Sequence, residues 1–270
     1  MNANKALWEN GDFTRLAACM RTSGAALVAD IGVGPGMEVL DLGCGDGTTA
    51  IPAAQAGANV LGVDIASNLV AAGNARAAEM GLSNIRFQEG DASALTDLAD
   101  DQFDLVVSIF GAMFAPRPDD VAREMVRVTR PGGRIVMGNW IPGDPTLIAQ
   151  VLKISGSYSP PPPEGFVSPV LWGKEDVVRE RFVGAGVADD RIRCTRAMWT
   201  FAYDGPPRDF LNIFRNWYGP TMNAYDAAAR DGREAALDAE LLGLFEAQNA
   251  SGDKARTKIP AAFLLVEVGV

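Results

Sequence analysis

The residues best equipped for chemistry lie together in Asp41-Leu42-Gly43-Cys44-Gly45-Asp46-Gly47-Thr48. Three glycines at alternating positions allow positive φ and let a ligand approach the backbone with no Cβ in the way. The apolar run Val39–Leu42 in front of them suits a strand buried on both faces of a parallel sheet. Behind them, Thr48 is placed to cap a helix through Thr49–Ala56, with Pro52 early enough in it to be tolerated. Strand, glycine turn and helix N-terminus make a corner of the kind that receives a nucleotide.

A dinucleotide fingerprint, Gly-x-Gly-x-x-Gly, needs a glycine where Thr48 stands; Gly47 falls one residue early. Charge argues in the same direction. Asp41 and Asp46 flank the glycines, and a pyrophosphate between them meets repulsion of several kcal/mol at an effective dielectric of roughly 20. S-adenosylmethionine carries no phosphate, and its sulfonium and ammonium are both positive. Asp-Leu-Gly-Cys-Gly-Asp-Gly (41–47) in fact resembles motif I of the class I S-adenosylmethionine-dependent methyltransferases. Phe110–Pro116, Gly138-Asn139-Trp140, the proline run 160–163 and Leu171-Trp172-Gly173 further resemble a bacterial group of the ubiquinone/menaquinone C-methyltransferase type. An NAD(P)-dependent oxidoreductase is the first alternative, but the chain lacks the third fingerprint glycine, a Tyr-x-x-x-Lys pair and a zinc ligand set. A non-catalytic S-adenosylmethionine-binding protein is the second.

The elements that would position such a cofactor follow in order. Asn59–Asp64 reads as a second buried strand ending in an acid about twenty residues after the loop, the spacing for ribose recognition. Asp64 can accept both ribose hydroxyls, and Ile65 falls where an apolar side chain lies against the adenine. Ser67 is placed to cap a helix running to about Met80. After a third strand, Ile85–Glu89, the family resemblance implies that Asp91 meets the adenine amino group and the Ala92 N–H a ring nitrogen. Asp91 can equally cap the next short helix. The fourth strand, Phe103–Phe110, should aim Ser108, Ile109 and Phe110 at the cleft, because ligands of open α/β sheets sit beyond strand C-termini. A helix from Asp119 or Asp120 to about Thr129 and the turn Arg130–Gly133 lead to a fifth strand, Arg134–Trp140. The expected cofactor set is thus Asp41, Gly43, Cys44, Gly45, Thr48, Asp64, Ile65, Asp91, Ala92, Ser108, Ile109 and Phe110.

The expected fold is α/β and Rossmann-like: a seven-stranded, mostly parallel sheet with an antiparallel last strand and flanking helices, in one compact domain. Residues 1–30 read as a helical lid interrupted at Asn10-Gly11-Asp12, and 31–140 as the cofactor core. Residues 141–270 read as a substrate cap, with a helix near Thr146–Ile154, a stiff proline stretch, a helix near Lys174–Gly184 and a strand near Arg193–Tyr203. A helical insertion at about 206–250 and a final edge strand, Ala261–Val270, complete it. Trp8, Phe13, Met113, Trp140, Tyr158, Phe214, Trp217 and Tyr218 are the substrate-pocket candidates. For the aromatic and Met residues among them, ordinary core packing is the competing assignment.

Composition narrows the chemistry. At 270 residues, 48% hydrophobic and 21% charged, the chain can bury a sizeable core. A net charge of −10 disfavours nucleic acid, so a small-molecule substrate is expected. No apolar run reaches membrane-spanning length and no secretory signal is visible. The three scattered cysteines, Cys19, Cys44 and Cys194, suit free thiols in a reducing compartment, so the cytoplasm is expected. There is no histidine, and no metal site is expected. Methyl transfer from a sulfonium is an in-line displacement whose neutral leaving group needs no acid, so alignment, worth about 7–11 kcal/mol, is the main task. If the acceptor must lose a proton, Asp12, Tyr158, Tyr218 and Tyr225 are the base candidates, and their sequence context does not rank them.

Overall fold

A computed structural model describes residues 3–162 and 164–270; Met1 and Asn2 of the N-terminal segment and Pro163 of the proline run lie outside the described residues. Three short helices come first: α1 (Ala3–Glu9), α2 (Phe13–Ala17) and α3 (Arg21–Asp30), broken at the expected Asn10-Gly11-Asp12. Alternating strands and helices follow: β1 (Glu38–Leu42), α4 (Ala50–Gln55), β2 (Asn59–Asp64), α5 (Ser67–Glu79), β3 (Ile85–Glu89), β4 (Phe103–Ile109), α6 (Pro118–Val128) and β5 (Thr129–Trp140). The second half carries α7 (Leu147–Tyr158), α8 (Glu175–Gly184), β6 (Ile192–Tyr203), then α9 (Pro207–Trp217), α10 (Gly219–Arg230), α11 (Glu234–Gln248) and β7 (Thr257–Gly269).

The strands form one sheet in the order β3-β2-β1-β4-β5-β7-β6. β1 to β5 pair in parallel, and β7 pairs antiparallel with both β5 and β6. This is the Rossmann-like class I methyltransferase topology. The last strand, however, is not at the edge. β7 inserts between β5 and β6, and β6 is the edge. Its apolar run explains the placement, since Ala261–Leu264, Val266 and Val268 are all buried, as a strand covered on both faces requires. Connection order reverses between β1 and β4, and the crevice beyond their carboxyl ends is where such sheets take ligands.

Two expected helix caps are replaced by longer-range bonds. The N-cap of α4 is Thr49 rather than Thr48, and its hydroxyl donates to the Asp41 carboxylate instead of capping. At α5 the N-cap is Ala66, whose N–H goes to Asp64 Oδ1 at 2.9 Å. The Ser67 N–H and hydroxyl both go to Glu9 on α1, so this serine ties the N-terminal segment to α5. At α5 the distant Glu9 carboxylate outcompetes the local hydroxyl because it accepts the stronger, charge-assisted bond.

Candidate functional site

The glycine turn is built by close approach. Gly43, Gly45 and Gly47 all have positive φ, at 72°, 54° and 89°. The N–H groups of Gly43 and Cys44 both donate to the Val63 carbonyl, at 2.7 and 3.2 Å, folding the turn across the end of β2. Gly43 also meets the loop after β4 backbone to backbone: a Cβ on Gly111 would stand 2.2 Å from the Gly43 carbonyl oxygen. Gly111 was not singled out in the sequence, because it follows a strand as an isolated glycine. The pairing that makes it indispensable is made across the sheet.

Asp64 is the hinge of the corner. Its Oδ2 accepts from the Gly45 N–H at 2.8 Å and its Oδ1 from the Ala66 N–H at 2.9 Å, so one carboxylate joins the glycine turn to the start of α5. Burial pushes its pKa up, and these backbone bonds oppose the shift. Both oxygens keep a further lone pair for a ligand. Ser108 does related work from β4, donating to the Leu42 carbonyl at 2.6 Å and accepting from Ala112 N–H at 3.0 Å. It holds the β4 loop to the β1 end and does not line the cleft. Phe110 is one of two non-glycine residues with positive φ among those described, at 62°. Its ring stacks on Trp140 at 3.6 Å, and strain held by packing in this way concentrates where a site must be shaped.

These elements surround an open cleft of about 890 Å³, a volume that includes the solvent at its mouth. Of the expected cofactor residues, Gly43, Cys44, Gly45, Thr48, Asp64, Ile65, Asp91, Ala92, Ile109 and Phe110 line it; Asp41 and Ser108 do not. Asp91 also turns its own loop, accepting from the N–H and hydroxyl of Ser93 at 2.9 and 2.6 Å. Trp8 and Phe13 line the cleft, packed edge to face at 5.7 Å.

The remaining substrate-pocket candidates do not line it. Met113 and Phe214 are core residues. Trp140 backs Phe110 from behind, and Tyr218 backs Trp8 and Phe13. Tyr158 points to Glu240 on α11, at 2.6 Å. Trp217 is 39% exposed, under the Arg15 guanidinium. A helical stripe shows which side chains share a face, and here that face meets other helices. Conversely, Met20 on the α2–α3 turn and Trp199 on β6 line the cleft and were missed, because each comes from an element with no motif of its own.

The base candidates are also placed elsewhere. Asp12 caps α2 through the Thr14 N–H, and Tyr225 donates to Asp238 at 2.9 Å. Tyr218 is buried, which pushes its pKa up and makes it a poor proton acceptor at neutral pH. None of the four lines the cleft, and among the described lining residues there is no lysine or arginine.

Asp41 and Asp46 are not the two free charges expected from the sequence. Asp41 faces inward beneath the turn, and burial raises its pKa to about 7. Asp46 does line the cleft, but Arg21 and Arg76 pair with it at 3.0 and 3.2 Å. What fits a cationic, phosphate-free ligand is more local: Asp46 Oδ1 is buried without a hydrogen-bond partner, and the Gly43–Gly111 contact leaves the turn bare of side chains.

The Asp41 shift has a testable sign. Its folded pKa lies above the ordinary value of 3.8, so the folded state holds the proton more tightly than the unfolded chain. Its contribution is therefore favourable at low pH and is lost as pH rises from about 4 to about 7, on the order of 4 kcal/mol at 1.36 kcal/mol per unit. Asp41→Asn keeps an acceptor for Thr49 and cannot ionise. Its melting temperature should change less between pH 5 and pH 8 than that of the parent protein. Equal pH slopes would show that Asp41 stays ionised in the fold.

Comparison with known proteins is consistent with this geometry. A family model described as a methyltransferase domain matches residues 40–137. The uncharacterized protein Rv1405c of Mycobacterium tuberculosis is 37% identical over 88% of this chain and 84% of its own length. The demethylmenaquinone methyltransferase of Renibacterium salmoninarum is 38% identical over 42% of this chain and 46% of its own. The crystal structure of YcgJ from Bacillus subtilis shares the fold with a TM-score of 0.60 at 20% identity, covering 92% of this chain and 98% of YcgJ.

Proposed function

The chain belongs to the class I S-adenosylmethionine-dependent methyltransferases, and from that premise we propose that it methylates a small, neutral, flat aromatic acceptor. The observation carrying this reading is the apolar part of the cleft lining, Trp8, Phe13, Met20 and Trp199, with no lysine or arginine among the described lining residues. An acceptor bearing phosphate or carboxylate would lose hydration against this apolar wall and find Arg21 and Arg76 already paired with Asp46, a disadvantage in a partly dry site. A flat ring gains dispersion and edge-to-face contacts from the same wall. The partial match to a demethylmenaquinone methyltransferase is compatible with a ring of that general kind.

When bound, S-adenosylmethionine supplies a methyl group on a positive sulfur that leaves as a neutral thioether. The chain's own part is to bind and orient. The bare backbone of Gly43–Gly45 receives the amino-acid portion, with Asp46 Oδ1 accepting from its ammonium. Asp64 accepts from the ribose hydroxyls through its free lone pairs, Ile65 lies against the adenine, and Asp91 with the Ala92 N–H reads the adenine edge. Phe110, braced by Trp140 and packed edge to face on Trp199, stands between this half and Trp199 and fixes how closely the acceptor approaches the methyl. With none of the base candidates Asp12, Tyr158, Tyr218 and Tyr225 at the wall, a phenolic acceptor loses its proton to solvent at the open mouth of the cleft, and the rate comes from alignment.

Two measurements check this. S-adenosylhomocysteine at a hundred times its Kd should stabilise the fold by about 2.7 kcal/mol, with no shift from NADH. Incubation with trideuteromethyl-labelled cofactor and a mixed acceptor panel should label neutral phenols or naphthols. Label appearing only on amines or phosphorylated acceptors would overturn the acceptor class. Tight cofactor binding with no labelled product at all would point to a non-catalytic protein.

A further inference from the structure

Trp199 carries a donor that none of the described residues uses. It lines the cleft and is 1% exposed, yet its Nε1 is buried without a hydrogen-bond partner. An indole N–H only donates, and a buried donor left unpaired is unfavourable enough that native proteins rarely keep one without a purpose. The other indole on the cleft wall is already committed, since Trp8 Nε1 donates to Asn4 Oδ1 at 3.2 Å.

The Trp199 ring is also held in place. Phe110 packs edge to face against it at 5.0 Å and Phe263 at 6.1 Å. Its neighbour Thr200 is pinned on both sides of its peptide by Ser23 Oγ of α3, which accepts from Thr200 N–H at 3.1 Å and donates to Thr200 O at 2.9 Å. Two residues further, Ala202 N–H donates to the Cys19 carbonyl at 2.9 Å. A ring so braced cannot swing to find a partner within the protein. It lies, moreover, on β6, at the opposite edge of the sheet from the β1–β3 ends that carry Gly43, Asp64 and Asp91. Phe110 stands between the two groups.

We infer that the Trp199 N–H donates a hydrogen bond to a neutral oxygen of the acceptor, so that the acceptor is a flat apolar ring system bearing a carbonyl-type oxygen on its β6 side. This rests on the reading of the cleft given above and narrows it. The bond fixes the in-plane rotation of a molecule that the aromatic walls hold only by its faces. Trp199 is therefore a positioning and specificity residue.

The test uses a matched pair of probes, 2-acetylnaphthalene and 2-isopropenylnaphthalene, which share a shape and differ in a carbonyl oxygen replaced by a methylene. Each is titrated into the full-length protein saturated with S-adenosylhomocysteine. The affinity ratio of ketone to alkene should fall about tenfold in Trp199→Phe, the size of one hydrogen bond in a dry site, while the affinity for S-adenosylhomocysteine stays as it was. Loss of packing alone would weaken both probes and leave the ratio alone. A ratio unchanged within about twofold overturns the inference, as does failure of both probes to bind the loaded protein. Failure of S-adenosylhomocysteine itself to bind would instead overturn the cofactor reading. Should Trp199→Phe not fold, the parent protein labelled with ¹⁵N-tryptophan answers the question: the ketone should move the Trp199 indole resonance downfield and the alkene should not. The same displacement with both probes would count against the bond.

Discussion

Gly111→Ala is expected to disable the cofactor corner although it adds only a methyl group. The new Cβ would stand 2.2 Å from the Gly43 carbonyl oxygen and 2.6 Å from the Gly43 Cα, both backbone atoms of a turn that cannot rotate away. Gly43 is itself held at a φ of 72° and hydrogen-bonded to Val63, so the strain has to be relieved by parting the β1 and β4 loops. Overpacking of this kind costs about 3 kcal/mol, which in a domain of this size is a fall in melting temperature of about 5–10 °C. Affinity for S-adenosylhomocysteine should drop by at least about tenfold, because the parted loops carry Gly43–Gly45 on one side and Phe110 on the other. Gly34→Ala is the control: nothing lies within 4 Å of its added Cβ. Differential scanning calorimetry and calorimetric titration of both variants give the comparison. If the two melt and bind alike, the Gly43–Gly111 contact is looser than described.

Asp64→Ala should produce the next largest effect, and on two observables at once. It removes the acceptor of the Gly45 and Ala66 N–H groups together, leaving two donors without partners in a buried corner. Each such loss destabilises by about 1–3 kcal/mol. Removing the charge-assisted bonds proposed to the ribose should weaken S-adenosylhomocysteine binding by a further 1–3 kcal/mol, or about 5- to 150-fold. The two effects are separable. An analogue of the cofactor lacking the ribose hydroxyls should lose affinity from the parent protein to Asp64→Ala only through the loosened turn, so the larger loss seen with S-adenosylhomocysteine measures the hydroxyl contribution. Unchanged affinity for S-adenosylhomocysteine would take Asp64 out of the binding set and leave it as a brace for the turn.

Both predictions depend on contacts between segments far apart in the chain, and this separates what a reader of the sequence could foresee from what he could not. Asp41 illustrates the limit. As a letter it is a carboxylate beside a glycine loop; in the fold it turns away from the cleft, hydrogen-bonded to Thr49 and buried. Asp46 illustrates it again, since its two arginine partners come from α3 and α5, 25 and 30 residues away. Neighbours in sequence present two free charges; in the fold Asp41 is buried with its pKa raised to about 7, and Asp46 is paired with Arg21 and Arg76.

The aromatic residues divide in the same way. Trp8 and Phe13 reach the cleft because α1 and α2 fold back over the sheet, whereas Trp217 and Phe214, on one stripe of α9, end at the surface and in the core respectively. Periodicity reports which side chains share a face, and only the partner element decides whether that face meets solvent, core or ligand.

The order of strands and helices through β5, the glycine turn and the acids at the ends of β2 and β3 were legible in the sequence. Each depends on local rules: alternation or continuity of apolar residues, positive φ at glycine, and the short reach between a strand end and the next helix. Placement of β7 inside the sheet, the Gly43–Gly111 contact, the orientation of Asp41 and the arrival of Met20 and Trp199 at the cleft were decided only by the tertiary structure. The physical reason is that all of these features but the Asp41–Thr49 bond join segments separated by tens to nearly two hundred residues, and their energies exist only once the sheet has brought those segments together.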